Sequence, residues 1–329
     1  MKLKPIALAI PMVLAAGSLS AAEVYNKDGN SVELSGWAKA FGNVLDTNAV
    51  DKEGKELDKD LHVLTDANLT IKATHTIDEE SKLIGTYAIN TGSSIDKNAS
   101  FDDIKFEYDH TTIGNISIGD TGNSFGAIEK AGAGEGDNLY AIGQGGVDGQ
   151  GLRYKNSFGD FNFSANYETD SSSDVDSNYA FSGEYKVEDS FSVAVAYGSD
   201  GDEASSSGIG ADVNFGDLKF GVTYISFEGA GSLKVNDDVE LELDPDNKGD
   251  SYALKAEYVI GAATVYGSFQ QVDGESKGVD VEASTMYAGV DYKFTDSITS
   301  YVVIQDGTVE RAGVEKEGTN FKFGAKYSF

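Results

Sequence analysis

The sequence predicts an all-β protein, a 16-stranded antiparallel transmembrane β-barrel. Three observations predict it. Apolar and polar residues alternate with period two over most of the chain, the signature of half-buried strands. Short turns and long polar connectors alternate between those segments. Pro5 and Pro11 lie in the first 22 residues, so Pro245 is the one proline left for the rest of the chain, and proline is kept out of central strands because it removes a ladder donor.

The start reads as an address. Met1-Lys2-Leu3-Lys4 is a short basic stretch, Ile6 to Leu19 is apolar, and Ser20-Ala21-Ala22 offers a small-residue cleavage site. This is the layout of a secretory signal peptide, so residues 1–22 are expected to be cleaved and 23–329 to form the barrel. Cleavage after Ala21 and after Ala22 are both compatible with the pattern. The full chain has 25 Lys+Arg, 55 Asp+Glu and a formal charge of −30. Losing Lys2 and Lys4 leaves 23 bases against 55 acids, a net −32. That balance argues against nucleic acid, whose phosphates need a basic surface. The absence of cysteine excludes disulfides, thiol catalysis and Cys-ligated metals. No cofactor or metal is expected.

Sixteen strands are expected, near 31–43, 63–75, 82–92, 100–109, 114–120, 150–157, 160–169, 177–187, 190–199, 207–215, 217–228, 250–260, 262–273, 282–294, 297–306 and 318–329. Most approach the ~9–11 residues a tilted strand needs to cross a bilayer. Long connectors fall at 44–62, 93–99, 121–149, 170–176, 200–206, 229–249, 274–281 and 307–317, strictly interleaved with short turns. Outer-membrane barrels carry this asymmetry, with short periplasmic turns and longer external loops.

The two faces indicate the compartment. In the last segment Phe321, Phe323, Ala325, Tyr327 and Phe329 alternate with Asn320, Lys322, Gly324, Lys326 and Ser328. A 16-stranded barrel is too wide for side chains to fill, so the polar face is expected to line water and the apolar face to meet lipid. Tyr108, Tyr185, Tyr258, Tyr292 and Phe294 near strand ends are expected to form interfacial girdles. The competing reading of these aromatics is a sandwich core, which would need a dry partner that the other face does not offer.

The stretch Ala22-Glu23-Val24-Tyr25-Asn26-Lys27-Asp28-Gly29-Asn30 resembles the mature start of the Gram-negative general diffusion porins. Phe321–Phe329 is similar to their last strand, with Phe329 as the terminal aromatic of the membrane-assembly signal. Gly151-Leu152-Arg153-Tyr154-Lys155-Asn156-Ser157 is similar to the strand after their constriction loop. The resemblance implies a homotrimeric outer-membrane porin whose third external loop folds inward. It also implies passive diffusion of small hydrophilic solutes.

On that resemblance, 121–149 is the constriction loop, and Glu129, Glu135 and Asp137 are its candidate acids, with Lys130 the one base. The family's Pro-Glu-Phe-Gly-Gly motif is matched only by Gly134-Glu135-Gly136-Asp137. Asn68 stands where the family has an arginine on its second strand, and Ser100, Asp102 and Asp103 occupy the matching part of the fourth. Arg153 and Arg311 are the only arginines, and Arg311 is placed in the last external loop. The arginine wall is therefore largely absent, with Lys39, Lys72 and Lys105 on the expected water-lining face as partial substitutes. Fixed carboxylates in a confined aqueous path favour cations. A cation preference stronger than in relatives that keep the arginines is expected. The bland alternative is a solvated loop whose acids do nothing particular.

The acidic runs Asp51–Asp60 and Asp237–Asp246 are read as solvated surface; their functional alternative is bridging lipopolysaccharide through Ca²⁺ or Mg²⁺. Trp37 falls on the water-lining face, as a structural aromatic or a sugar-stacking one. An oligosaccharide-specific channel is the main rival function, but Trp37, Tyr140 and Tyr266 are too few for an aromatic slide. Gly145-Gly146-Val147-Asp148-Gly149 matches a fragment of a calcium-binding nonapeptide repeat once, without repeating. Enzyme chemistry is not expected, since His62, His75 and His110 have no nucleophile set beside them by strand spacing. If Glu135 borders the constriction, Glu135→Gln lowers the cation preference read from reversal potentials more than a charge removal in a distal loop does.

Overall fold

The computed structural model describes residues 22–50, 57–93, 100–134, 150–169, 177–201, 204–235 and 239–329. A short strand, β1 (Ala22–Lys27), forms a hairpin with β2 (Asn30–Thr47). Its turn is Asp28-Gly29, with φ of 54° and 76°, the doubly left-handed geometry of a tight two-residue hairpin. From β2 the chain runs up and down through β3 (Lys59–Thr76), β4 (Ser81–Gly92), β5 (Ser100–His110), β6 (Gly114–Asp120), β7 (Gln150–Phe158) and β8 (Phe161–Glu168). It continues through β9 (Asn178–Val187), β10 (Phe191–Asp200), β11 (Ala204–Phe215) and β12 (Leu218–Glu228). A two-strand hairpin, β13 (Ser232–Lys234) and β14 (Glu240–Glu242), stands apart from the main sheet. The sheet resumes with β15 (Lys248–Ile260), β16 (Ala263–Ser276), β17 (Val279–Thr295), β18 (Ile298–Arg311) and β19 (Val314–Ser328).

Every neighbouring pair is antiparallel, and β19 pairs with β2 from Gly318↔Thr47 to Ser328↔Trp37. The sheet is thus a closed barrel of sixteen strands with no free edge. Phe329 adds two reciprocal backbone bonds to Gly36, each 3.0 Å. A Cβ on Gly36 would sit 2.9 Å from the Phe329 ring and 2.3 Å from the Asn68 carbonyl, so the closing seam needs glycine there.

The sixteen expected strands are all present, but several are longer than the alternation suggested. β16, β17, β18 and β19 extend beyond the expected limits, and two connectors expected to be long are tight turns at their tips. Lys277-Gly278 (φ 52° and 72°) joins β16 to β17, and Ala312-Gly313 (φ 55° and 75°) joins β18 to β19. Polar sequence at those tips marks strand that overshoots the apolar band, not loose loop. Arg311 is accordingly the last residue of β18, which corrects its placement in a loop.

The faces divide as the alternation requires. Val222, Leu254, Met286 and Ile304 are more than half exposed on the outside, while their neighbours Thr223, Ala253, Thr285 and Gln305 are buried on the inside. Tyr108, Tyr185, Tyr258, Tyr292 and Phe294 all point outward near the short-turn end, and the last two rings meet edge to face at 4.9 Å. An unbroken apolar belt of this kind needs lipid or detergent against it. Ile304→Lys, near the middle of the belt, is expected to cost about 2–4 kcal/mol in urea unfolding from bilayers. Thr299→Lys on the opposite face of β18 should cost much less.

Candidate functional site

The connector after β6 turns into the barrel. Arg153 on β7 holds its root: Nη1 donates to the Thr121 carbonyl at 2.9 Å, Nη2 to the Asn123 carbonyl at 3.2 Å, and Nε to Ser164 Oγ at 3.0 Å. Ser124 then binds β8, its N–H donating to Asn166 Oδ1 and its hydroxyl meeting Ser164 Oγ, both at 2.8 Å. A single 3₁₀ turn, Phe125–Ile128, follows. Phe125 and Ile128 are fully buried against Ala180, Ala194, Ala196 and Ile225 of β9, β10 and β12.

The segment stays flat on the wall because the wall is made of small residues there. A Cβ on Gly210 would come 2.0 Å from the Ile128 carbonyl oxygen, and one on Gly221 2.0 Å from that of Lys130. Beyond the 3₁₀ turn, Thr223 Oγ1 donates to the Ile128 carbonyl and accepts from the Lys130 N–H, at 2.8 and 2.9 Å. The Ala131 carbonyl accepts from Ser268 Oγ at 2.9 Å, and the Gly132 carbonyl from Lys255 Nζ at 3.0 Å. The Ala133 N–H donates to the Tyr287 hydroxyl at 2.8 Å. The loop therefore crosses the interior from β7 to β17 as a belt. Each such bond contributes about 1 kcal/mol, and together they fix where the belt lies.

Among the described residues the belt's contacts end at β17 and β18, where Ala133 clusters with Tyr287 and Val303; beyond them lie β19 and β2 to β6. Cross-strand register puts Lys322, Lys326, Lys39, Lys72 and Lys105 on their interior face. Lys326 stands opposite Lys39, and Lys39 opposite Asp66. Trp37 lies among them, with the ammoniums of Lys39 and Lys326 at 5.7 and 5.1 Å from its ring and Lys39 also 4.8 Å from Phe41. These cation–π contacts give Trp37 a structural partner set. Asn68 is interior as expected, donating to Asn90 Oδ1 at 2.7 Å and accepting from Thr70 at 3.1 Å. Asp103 shares the interior face of β5 with Lys105 and Glu107, since Ile104 and Phe106 between them are exposed outside.

The structure changes the role of Arg153: expected as a wall charge, it anchors the belt. Lys130 is likewise committed, bonding Glu184 at 2.6 Å with Asp212 at 3.7 Å, and Lys255 lies 3.3 Å from Glu257. Glu129 is on the belt with its side chain exposed to the interior space. Enclosure by the surrounding walls pushes its carboxyl above the usual carboxylate range. Glu135, Asp137, Tyr140 and the Gly145–Gly149 stretch lie outside the described residues. Tyr266 packs against Gly134. A cavity of about 720 Å³ lies between the belt and the short-turn end, lined by Arg153, Lys155, Glu184 and Asn123 among others.

The histidines have local partners. His62 Nδ1 lies 3.0 Å from the Asp60 carbonyl, His75 Nδ1 2.8 Å from Asn30 Oδ1, and His110 Nδ1 accepts from the Thr112 N–H at 3.1 Å. The wall residues that seat the belt, Gly210, Gly221, Thr223, Ser268 and Tyr287, are absent from the expected set. For Gly210 and Gly221 the available signal was a stripe of small residues at interior positions of β9 to β12; Ser268 on β16 and Tyr287 on β17 carried none. The chain has no cysteine of its own, so a Ser124→Cys, Ser164→Cys pair reports the belt's seat. Its hydroxyls are 2.8 Å apart, and a disulfide is expected on oxidation in the folded protein, read as a gel shift reversed by reductant.

Residues 7–312 match the family described as Gram-negative porin. Outer membrane porin protein OmpD of Salmonella typhimurium is 51% identical over 51 residues, 16% of this chain and 14% of that one. Outer membrane protein YedS of Escherichia coli is 27% identical over 133 residues, 40% and 35% of the two chains. The matched stretch thus spans about a seventh of the OmpD length. Among solved structures, the outer-membrane expressed OmpT of Vibrio cholerae superposes with a TM-score of 0.69 at 16% identity, covering 93% of this chain and 100% of that one. Salmonella typhi OmpF, in complex with daunomycin, gives 0.67 at 17% identity, covering 94% and 100%. At these identities the likeness speaks to the barrel fold.

Proposed function

The chain belongs to the Gram-negative porin family, and we propose that it is a passive diffusion channel for small hydrophilic solutes and ions across the bacterial outer membrane, preferring cations. The observation that carries the channel reading is a closed barrel that is apolar outside, polar inside and narrowed by a belt on one wall. Sixteen strands enclose more space than side chains fill, so the remainder holds water.

Charge supports the sign of the preference. Three interior bases are tied to carbonyls or carboxylates of the belt and wall, and Lys39 faces Asp66. The lysine wall moderates the field without reversing an excess of 55 acids over 23 bases in residues 23–329. Glu129 places a carboxylate on the belt, and Glu135 and Asp137 continue it in sequence. Screening acts over ~8–10 Å at ordinary ionic strength, comparable to the radius of a narrow pore, so these charges act on the transport path.

The same reading includes removal of residues 1–22 on export and a homotrimer, supported by the trimer form recorded for OmpT of Vibrio cholerae. It also includes lipopolysaccharide as a neighbour through Ca²⁺ or Mg²⁺. Asp273, Glu282, Glu310 and Glu315 stand opposite one another on four adjacent strands, outside the barrel at its long-loop end. Like charges in register repel, and divalent counter-ions relieve that.

Purified protein in a planar bilayer under a salt gradient is expected to give stepwise conductance with a cation-sign reversal potential that shrinks as salt rises. Glu129→Gln should reduce it. Because desolvation raises the Glu129 carboxyl above the usual carboxylate range, its contribution fades earlier on acidification than that of an ordinary carboxylate. No conductance would remove the channel reading; an anion-sign potential would remove the cation preference.

A further inference from the structure

Within the connector between β12 and β15, the acidic run Asp237–Asp246 was expected to be solvated surface, and Glu240, Glu242 and Asp246 are exposed. The apolar residues of the same connector fold back into the barrel. Leu233, Val235 and Val239 are buried to within 1% of full enclosure. They pack on Phe227, Val272, Val281, Ala283 and Val309. Register assigns those five to the interior face at the long-loop end of β12 and β16 to β18. The cluster also takes in Ala49 and Leu57 from the connector after β2, so it reaches from β12 across to the seam side of the mouth.

Polar bonds hold it there. Gln305 Nε2 donates to the Val235 carbonyl at 2.8 Å, and a Cβ on Gly307 would meet Val235 Cβ at 2.9 Å. Asn247 closes the hairpin's base through Ala230, donating to its carbonyl at 2.7 Å and accepting from its N–H at 3.0 Å. At the rim, Asp244 accepts from Lys277 Nζ at 2.5 Å and from Arg311 Nη2, and its own N–H donates to Ser276 Oγ at 3.1 Å. The Lys277 bond first, then the Arg311 bond, holds the Asp244 carboxyl down to about 2. A carboxyl lowered on folding stabilises above its unfolded range, and that contribution fades only as pH falls through about 2.

We propose that the 229–247 hairpin is a second, outer filter of this channel, narrowing the mouth at the long-loop end of β12 and β16 to β18, with Asp244 as its positioning residue. This rests on the channel reading above. An apolar patch on the inner wall of a water-filled mouth would be unfavourable if bare. The patch matches the hairpin's buried face, so hairpin and wall form one dry unit that occupies cross-section. Solutes that fit past the belt must first fit past this unit.

The test uses the full chain and a variant with 232–242 replaced by a short Gly-Ser link, both checked for folding by heat-modifiable gel mobility. The folded deletion is expected to raise single-channel conductance by about 1.5-fold or more and to admit larger sugars in liposome swelling. Asp244→Ala should shift the size cutoff the same way and Asp244→Glu should restore it, which tests the hairpin without removing it. A folded deletion with unchanged conductance and cutoff would overturn the filter. An Asp244→Ala protein identical to wild type would overturn the positioning role. A wild-type protein without conductance would instead sink the channel reading.

Discussion

A closed backbone ladder is the constraint on which the rest depends. Inside a bilayer no water is available for an unpaired N–H or C=O, so a sheet that spans it must have no edge. Here the seam between β19 and β2, finished by the Phe329–Gly36 bonds, removes the last one. Closure with sixteen strands then makes the interior too wide to pack. Polar residues must line it, and any narrowing must come from loops laid against the wall.

Those loops leave footprints. Among the described residues, interior positions are mostly polar or charged, and Trp37 and Phe41 stand among the lysines, but the character changes at two places. Under the belt they shrink to alanine and glycine, which lets backbone approach backbone. Under the outer hairpin they become valine and phenylalanine, which gives a loop an apolar seat. The interior bases divide in the same way. The side chains of Arg153, Lys130 and Lys255 spend their hydrogen bonds on tying the belt to the wall, whereas Lys39 and Lys326 stack on Trp37 across the gap. Basic residues therefore serve as scaffold on one wall and as field source on the other.

Strand number, order and facing were readable from alternation because each strand has one oily and one wet side. Strand ends were less so. Beyond the apolar band both faces are polar, and a tip such as Glu310–Glu315 reads like loop although the ladder runs up to Arg311↔Val314 on either side of a two-residue turn. The outer hairpin was hidden because its apolar residues are few and sit in or just before the acidic run 237–246. Val281 and Val309, apolar at interior positions, were the clue that something covers them. Arg153 was identified by resemblance as a wall charge, but its anchoring bonds depend on where the belt's carbonyls lie, which spacing along the chain does not encode.

The most direct measurement of the central claim is thiol labelling along β19 in membranes, on a chain that brings no cysteine of its own. A membrane-impermeant, water-soluble thiol reagent should modify Lys322→Cys and Lys326→Cys and leave Phe323→Cys and Ala325→Cys unmodified. The reverse pattern, with the aromatic side reactive and the lysine side protected, would contradict a water-lined interior.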